Sequence, residues 1–196
     1  MRIGILALQG DFAAHQQAFA RLGAETTLVR TPSAMDGIHA LVLPGGESTT
    51  IWKMMEWSGL TGPIKDWASS GRPLLATCAG AILCASSIDH LDQPTLEVAD
   101  VSVRRNAYGR QRESFEAPLN IPSLGDKPFP GVFIRSPQFT RLGKDVDLLC
   151  EHDGKTVLVR EGSLLLSAFH PEMTEDLRLH DLFLQACGAS TPAISP

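Results

Sequence analysis

Cysteine is sparse in this sequence, with four residues among 196 and no C-x-x-C spacing. So few cysteines cannot build the disulfide framework of a small secreted protein. The cysteines and histidines also lack the paired spacing of zinc ligands, so no metal site is predicted. The N-terminal apolar run is too short for a secretory signal and lacks a cleavage site. We therefore expect a reduced, cytoplasmic protein.

Positive charge and long apolar runs are scarce as well. The chain has 17 Lys and Arg against 22 Asp and Glu, and its formal net charge is −5. A nucleic-acid-binding surface needs a basic excess, so nucleic acid is not an expected partner. No segment approaches the roughly 20 apolar residues that cross a bilayer, and no membrane association is expected. We expect a single domain over residues 1–188 and a flexible tail over 189–196.

Short apolar segments alternate with helical patterns in the first half of the chain. Strands are predicted over residues 2–8, 26–30 and 40–43. A helix is predicted between the first two strands, over 12–22, with Asp11 as its N-cap. Strands that are separated by one helix each form parallel sheets, which indicates an α/β fold.

The second half of the chain is typical of further strands and one last helix. The dipeptide Asp153-Gly154 separates two β-rich runs, which predicts a hairpin between residues 147–152 and 155–160. A last helix is predicted over 175–187, capped by the threonine before it.

The segment 73–84, PLLATCAGAILC, runs from an apolar strand through a sharp turn into an apolar helix. In α/β hydrolases this arrangement lifts a nucleophile above the sheet. A sulfur at a helix N-terminus lies among unpaired N–H groups, which favour thiolate over thiol. Cys78 is therefore a candidate nucleophile, although the pattern also fits an inert buried cysteine. Ala76 stands where the usual G-x-nucleophile-x-G turn has its first glycine.

Two glycines follow the third predicted strand, in the segment 44–50, PGGESTT, and a helix is predicted over 51–57. Glycines at the carboxyl end of a strand allow positive φ and let N–H groups point into a crevice, as in an oxyanion hole. The alternative is an ordinary strand-to-helix loop with Ser48 as N-cap. The segment is not a P-loop, because no Gly-Lys-Ser/Thr follows.

A predicted strand over 163–169 leads into His170-Pro171-Glu172. The proline favours extended backbone at His170, so Glu172 projects to the same side of the chain. A carboxylate there could orient the imidazole and stabilise its protonated form, which would complete a Cys-His-Glu relay. The histidines without such neighbours, to which no role is assigned, are His15, His39, His90, His152 and His180.

Arginine is concentrated in a predicted loop over residues 104–112, at Arg104, Arg105, Arg110 and Arg112. The loop is either a solvated surface turn or a clamp for a carboxylate or phosphate, and the pattern alone favours the turn. The carboxyl ends of parallel strands line one crevice. Three features could meet there: Cys78 in its sharp turn, the glycine pair, and His170 with Glu172. Together they specify acyl transfer through a thioester.

The sequence resembles the glutaminase subunits of pyridoxal 5'-phosphate synthase, which are triad-type (class I) glutamine amidotransferases. The similar segments are 6–10 (LALQG), 44–49 (PGGEST), 77–80 (TCAG), 105–111 (RNAYGRQ), 114–116 (SFE) and 170–172 (HPE). The resemblance extends from Leu6 to the last helix. It implies a three-layer α/β/α, flavodoxin-like class I glutamine amidotransferase fold with a mostly parallel central sheet.

The resemblance implies hydrolysis of L-glutamine to L-glutamate and ammonia without a cofactor. Cys78 would attack the side-chain amide, His170 would transfer the proton, and Glu172 would orient His170. The implied substrate-binding residues are Gly46, Glu47, Ser48, Arg105, Ile134 and Arg135. The residues implied in the oxyanion hole or a subunit interface are Gly45, Gly46, Ala79, Gln9 and Gly10.

The resemblance also implies a partner protein. Ammonia would pass to a separate synthase subunit, which is a (β/α)₈ barrel in a multimeric complex that makes pyridoxal 5'-phosphate. Two other functions stay open: a different cysteine hydrolase or chaperone-like protein on the same fold, and a catalytically silent scaffolding subunit. Only the alanine at position 76 points to the silent subunit.

Overall fold

The computed structural model describes residues 1–108 and 114–189. Within these ranges the α-helices are α1 (Phe12–Arg21), α2 (Ser48–Ser58), α3 (Thr61–Ser69), α4 (Ala79–Cys84) and α5 (Arg178–Ala189). The strands are β1 (Arg2–Leu6), β2 (Glu25–Val29), β3 (Ala40–Leu43), β4 (Leu74–Thr77), β5 (Ala85–Ile88), β6 (Ala99–Arg104), β7 (Ser114–Leu119), β8 (Phe129–Ile134), β9 (Gln138–Leu142), β10 (Val146–His152), β11 (Lys155–Glu161) and β12 (Leu164–Ser167). Short 3₁₀ turns lie at Pro32–Met35, Pro122–Leu124 and Pro171–Met173.

Ten of these strands form one mixed sheet. Its order is β2-β1-β3-β4-β12-β11-β9-β6-β5, and β10 pairs with β11 outside this path. The five strands from β2 to β12 are mutually parallel, as are β5 and β6. The pairings that involve β9, β10 and β11 are antiparallel. Strands β7 and β8 form a separate antiparallel pair.

Crossover connections put helices on both faces of the sheet. The chain moves one way across the sheet from β1 through α1 to β2, and the opposite way from β3 through α2 and α3 to β4. Because such crossovers are right-handed, the two sets of helices cover opposite faces. Helix α1 packs against α5 through Phe19 and Phe183, whose ring centroids are 6.3 Å apart. The predicted three-layer α/β/α fold with a mostly parallel centre is confirmed.

Most predicted elements are confirmed to within a few residues, including the hairpin of β10 and β11 around Asp153-Gly154. Asp11 lies at the predicted N-cap position of α1, but its side chain makes no capping hydrogen bond. Thr174 does not begin a helix: its hydroxyl accepts a hydrogen bond from Asp176 N at 3.2 Å, and α5 starts only at Arg178. Among the described residues, no helix combines the length and the apolar character needed to span a bilayer.

Strands β5 and β9 are absent from the prediction. Strand β5 follows α4 without a break, so no turn residue separates the two elements in the sequence. Helix α5 continues through Ala189, one position into the predicted tail, and residues 190–196 lie outside the described ranges.

The parallel strands place three loops at one edge of the sheet. Leu43 at the end of β3 pairs with Ala76, and Thr77 at the end of β4 pairs with Ser167 at the end of β12. The segments that follow these strands therefore leave the sheet at the same edge. This edge is where an open α/β sheet binds its ligands.

Gly80 lets α4 approach this edge closely. A Cβ atom at Gly80 would lie 2.1 Å from the backbone oxygen of Leu43 and 3.0 Å from its Cβ. A carbonyl oxygen within a strand cannot move aside as a flexible side chain can. Glycine is therefore required where α4 crosses the end of β3.

We predict that Gly80→Ala destabilises the protein, although alanine favours helix over glycine by about 0.5–1 kcal/mol. The clash with Leu43 should lower the free energy of unfolding by about 1–3 kcal/mol, the usual cost of overpacking. Urea denaturation would measure the change. Gly62→Ala in α3 is the matched control, because a Cβ there meets nothing within 4 Å. Equal stability of the two variants would contradict the steric argument.

Candidate active site

Cys78 lies in the turn between β4 and α4 with a φ of 47° and a ψ of −104°. This conformation is unfavourable for a residue with a side chain, so the surrounding structure must hold it. Strand β4 is paired on both sides, with β3 and β12, and Cys78 N donates to Ser167 O at 2.8 Å. Ala76 is fully buried within β4, so the sheet accommodates the methyl group that replaces the usual glycine hydrogen.

His170 follows β12 and begins the 3₁₀ turn Pro171–Met173. Its backbone N–H donates to Val132 O at 2.8 Å, which anchors it to β8. Its ring Nδ1 lies 2.8 Å from Oε1 of the buried Glu172. A Cβ atom at Gly45 would lie 2.4 Å from His170 Cε1 and 3.5 Å from Cys78 Cβ. The structure therefore brings Cys78, His170 and Glu172 together. The loop between β3 and α2, which contains Gly45 and Gly46 and is called the glycine loop below, packs against them.

The buried pair of His170 and Glu172 is charged. Burial by itself would lower the pKa of His170, but interactions with Cys78 and Glu172 outweigh it and raise this pKa well above 6.5. Burial would likewise raise the pKa of Glu172, but His15 and His170 hold it below its ordinary value. Since His170 is protonated and Glu172 is ionised, the ring donates its Nδ1–H to the carboxylate.

The glycine loop is bonded to the segment that follows β1. Gln9 Oε1 accepts a hydrogen bond from Glu47 N at 2.8 Å, and Asp11 N donates to Gly45 O at 3.1 Å. A Cβ atom at Gly10 would lie 1.8 Å from Gly45 O, and Gly10 has a φ of 96°. Only glycine permits this approach. The N–H of Glu47 is thus engaged by Gln9 instead of pointing freely into the crevice.

Glu47, and not Ser48, is the N-cap of α2, which begins earlier than the predicted residue 51. Its carboxylate accepts hydrogen bonds from Thr49 N at 3.2 Å and Thr50 N at 2.7 Å. Although burial opposes ionisation, the bonds with Thr49 and Thr50 lower the pKa of Glu47 to about 2. Glu47 is therefore a fixed negative charge in the site at neutral pH.

Arg105 faces this negative charge. Its Nη2 lies 3.3 Å from Glu47 Oε1, and its Nη1 donates to Gln93 Oε1 at 2.8 Å. Arg104, by contrast, is half exposed and pairs with Asp89 at 3.3 Å. The solvated-turn interpretation thus fits Arg104 and does not fit Arg105. Of the same loop, Gly109, Arg110, Gln111 and Arg112 lie outside the described residues.

Gln93 was not predicted to contribute to the site. Its Oε1 also accepts a hydrogen bond from Ser48 Oγ at 3.2 Å, so one amide joins Ser48 to Arg105. Its Nε2 is buried without a hydrogen-bond partner in the structure. No motif surrounds Gln93, which lies in a polar loop between β5 and β6, so no sequence signal marks it.

These groups surround a cavity of about 300 Å³. Ten of the predicted site residues line it: Gln9, Gly10, Gly46, Glu47, Ser48, Cys78, Arg105, Ile134, Arg135 and His170. The lining residues that were not predicted are Asp11, Ile82 and Asn106. Gly45, Ala79 and Glu172 do not line the cavity, and Glu172 lies behind His170. The volume suits a small-molecule ligand.

A larger open groove of about 890 Å³ lies beside Phe129 and Arg178. The Arg178 guanidinium is already bonded there to Asp176 and to the carbonyl oxygens of Leu124, Lys127 and Pro128. The described residues that line this groove include no cysteine or histidine. We therefore assign the chemistry to the smaller cavity.

A metal ion does not fit the site well. Asp11, His170 and Glu172 have potential ligand atoms within 4.8 Å of one another. However, His170 Nδ1 is already bonded to Glu172 Oε1 at 2.8 Å, and a metal ion would have to break that bond. We assign no metal to these residues.

The charge of His170 predicts a pH dependence. Because the pKa of His170 is raised above 6.5 in the folded protein, its contribution to stability is fully present below pH 6.5. This contribution is lost as the pH rises through the folded pKa. Glu172→Gln should shift the His170 titration to lower pH in an NMR titration of labelled histidine. Glu175→Gln, at an exposed carboxylate, is the control, and an equal shift in both variants would refute the assignment.

Comparison with known proteins gives a consistent result. The model of the SNO glutamine amidotransferase family matches residues 5–189. The chain is 49% identical over 187 residues to pyridoxal 5'-phosphate synthase subunit PdxT of Pelotomaculum thermopropionicum, covering 95% of each chain. It is 48% identical over 188 residues to PdxT of Dictyoglomus turgidum, covering 95% of this chain and 99% of the relative.

Solved structures agree with these relatives. A crystal structure of a glutamine amidotransferase is 47% identical, with a TM-score of 0.90, and the match covers 95% of this chain and 98% of that one. A putative GMP synthase protein from Thermoplasma acidophilum is 16% identical with a TM-score of 0.71, covering 96% and 94%, and shares the fold. From the family match and the identity to these relatives, the chain belongs to the SNO glutamine amidotransferase family.

Proposed function

We propose that this protein hydrolyses L-glutamine to L-glutamate and ammonia as the glutaminase subunit of a pyridoxal 5'-phosphate synthase. The observation that carries the proposal is one cavity shared by Cys78 and the charged His170, which Glu172 holds from behind. Family membership and the PdxT relatives support it. A different cysteine hydrolase would not require the Glu47 and Arg105 charges beside the nucleophile.

Cys78 is the proposed nucleophile and His170 the proposed acid and base. The Cys78 thiolate attacks the side-chain carbonyl carbon of glutamine and forms a C–S bond and a tetrahedral oxyanion. His170 then donates a proton to the amide nitrogen as the C–N bond breaks, which releases ammonia and leaves a thioester. His170 next takes a proton from water, which attacks the thioester. The C–S bond breaks, and glutamate leaves with Cys78 restored as thiolate.

Glu172 keeps His170 in the productive orientation. A carboxylate on Nδ1 directs Nε2 towards the nucleophile and stabilises the imidazolium, as the carboxylate does in serine hydrolases. The backbone groups of Gly45, Gly46 and Ala79 are the proposed oxyanion donors. Gln9 and Gly10 would set the conformation of the glycine loop, because Gln9 engages the Glu47 N–H and Gly10 touches Gly45.

Charged groups in the cavity would select an amino-acid substrate. Glu47 and Ser48 could receive the α-ammonium group, and Arg135 lines the cavity as a cation for the α-carboxylate. Arg105 is bonded to Glu47 and Gln93, so it supports the Glu47 carboxylate. Ile134 contributes its carbonyl oxygen, which lies 3.9 Å from Cys78 Sγ.

The proposed partner is the synthase subunit that uses the ammonia. The names of the PdxT relatives describe them as subunits of pyridoxal 5'-phosphate synthase. We propose that ammonia passes directly to a (β/α)₈-barrel subunit in a multimeric complex. The Gln9–Glu47 hydrogen bond joins the glycine loop to the segment after β1, so docking at that segment would order the oxyanion donors and raise activity.

Ammonia release from L-glutamine tests the proposal, with the protein alone and with a PdxT-type synthase partner. Cys78→Ala should abolish the activity, because none of the other described residues that line the cavity is a cysteine. Cys150→Ala, at a buried cysteine outside the cavity, should retain it. If the wild type released no ammonia under either condition, the silent scaffolding function would be supported instead.

Gln93→Leu should weaken substrate binding. The change removes the acceptor shared by Ser48 and Arg105, and a hydrogen bond to a charged group contributes about 1.5–3 kcal/mol. We expect KM for glutamine to rise about 10-fold, while kcat changes less because Gln93 does not contact the nucleophile. Asp92→Ala, at the exposed neighbouring residue, is the control for loop folding. An unchanged KM in Gln93→Leu would show that the amide does not support the site.

Gln9→Ala tests the proposed role of the loop contact. The change removes the acceptor for the Glu47 N–H and frees the glycine loop. We expect the activity measured with the synthase partner to fall about 10-fold, because an oxyanion donor would be less ordered. Gln16→Ala, at another glutamine of the same region, should leave this activity unchanged. Wild-type activity in Gln9→Ala would eliminate the role.

A further inference from the structure

His15 lies behind the pair of His170 and Glu172, on helix α1, and is completely buried. Its Nε2 is 3.4 Å from Glu172 Oε2 and 3.1 Å from Thr77 Oγ1. Its Nδ1 is 3.1 Å from Nε2 of the equally buried His180. His15 does not line the substrate cavity. One ring therefore touches the carboxylate of the pair and the residue that precedes the nucleophile.

The hydrogen bonds of this cluster determine where its protons lie. His180 Nδ1 is buried and has no hydrogen-bond partner among residues 1–108 and 114–189. An N–H group there would lose its hydrogen bond entirely, which proteins avoid more strictly than an unused acceptor. The His180 proton is therefore on Nε2 and is donated to His15 Nδ1. His15 must then carry its own proton on Nε2, directed at Thr77 and Glu172.

Both histidines are suited to act as neutral donors. Burial lowers the pKa of His15, and burial followed by repulsion from His15 lowers the pKa of His180 to about 3. A neutral His15 with its proton on Nε2 donates from Nε2 to Thr77 Oγ1 and accepts at Nδ1 from His180 Nε2. The alternative tautomer would place a lone pair of His15 against a carboxylate oxygen, which is repulsive.

We propose that His15 is a positioning residue that holds Glu172 in place for catalysis, on the basis of the proposed glutaminase function. Glu172 Oε1 bonds to His170 at 2.8 Å, whereas Oε2 makes no regular hydrogen bond and has the His15 N–H at 3.4 Å. The Glu172 carboxylate thus lies between two imidazole rings, with His170 at Oε1 and His15 at Oε2. Without His15, Oε2 would be buried with nothing to oppose its rotation or protonation.

The contact with Thr77 extends the effect to the nucleophile. Thr77 ends β4 and directly precedes Cys78, whose backbone is in an unfavourable conformation. His15 Nε2 hydrogen-bonds to Thr77 Oγ1 at 3.1 Å and lies 3.4 Å from Glu172 Oε2. The same ring thus couples the end of β4 to the carboxylate that orients His170.

His15→Phe keeps the ring and removes both nitrogens. We expect kcat for glutamine hydrolysis to fall about 10- to 100-fold, the usual effect of losing a group that orients a reacting one. KM should stay the same, because His15 does not contact the cavity. The acid limb of the kcat profile should move to higher pH, because the buried Glu172 carboxylate protonates more readily without the His15 N–H beside Oε2. The other titratable groups that face this cluster are Asp11, His170 and His180.

His15→Gln and His15→Asn separate positioning from simple packing. The longer glutamine amide can reach the place of the His15 Nε2–H, whereas the shorter asparagine amide cannot. We expect His15→Gln to recover most of the activity and the wild-type pH profile, and His15→Asn to behave like His15→Phe. If His15→Phe does not fold, the difference between the Gln and Asn variants still tests the positioning role of His15. His39→Phe, at an exposed histidine, is the control.

The outcomes distinguish this inference from the function on which it rests. Equal kcat and pH profiles for folded wild type and His15→Phe would overturn the role of His15. Equal impairment of the Gln and Asn variants would also overturn it, because packing alone would then explain the loss. Absence of Cys78-dependent ammonia release from the wild type would instead refute the proposed function itself.

Discussion

The parallel pairing of β4 with β12 is the constraint on which the candidate site depends. Thr77 pairs with Ser167, and Cys78 N continues the ladder by donating to Ser167 O at 2.8 Å. The two strands therefore end at the same level, so the turn with Cys78 and the turn with His170 leave the sheet side by side. A slip of this register would displace one group from the other by about 3.3 Å per residue.

Charge is concentrated in a site that is otherwise mostly buried. The positive charge of His170 and the negative charge of Glu172 stabilise each other, since an isolated charge in the protein interior would cost several kcal/mol. Glu47 is held ionised by the amide groups at the start of α2, and Arg105 approaches it from the other side. The cavity thus combines a fixed negative charge, a guanidinium and an imidazolium. Such a set of groups suits a zwitterionic amino acid better than an apolar ligand.

Local sequence patterns predicted most of the strands and helices and the order in which they alternate. The hairpin at Asp153-Gly154 could be predicted because two adjacent residues are enough to specify a tight turn. The cap predicted at Thr174 was wrong, because its hydroxyl accepts a hydrogen bond from Asp176 N instead. Asp11 lies at its predicted N-cap position, but its side chain makes no capping hydrogen bond. Asp11 Oδ2 lies 3.9 Å from His170 Nδ1, and no pattern near Asp11 reveals that neighbour.

The sequence alone determined the fold class and the motif residues, including Cys78, His170 and Glu172, because each motif is contained within a few adjacent residues. Only the tertiary structure decided what surrounds them. His15 and His180 are separated by 165 positions and Ser48 and Gln93 by 45, yet each pair shares a hydrogen bond. Such contacts depend on how helices and loops pack over the edge of the sheet. A lone histidine or glutamine carries no periodicity or spacing that would report this packing.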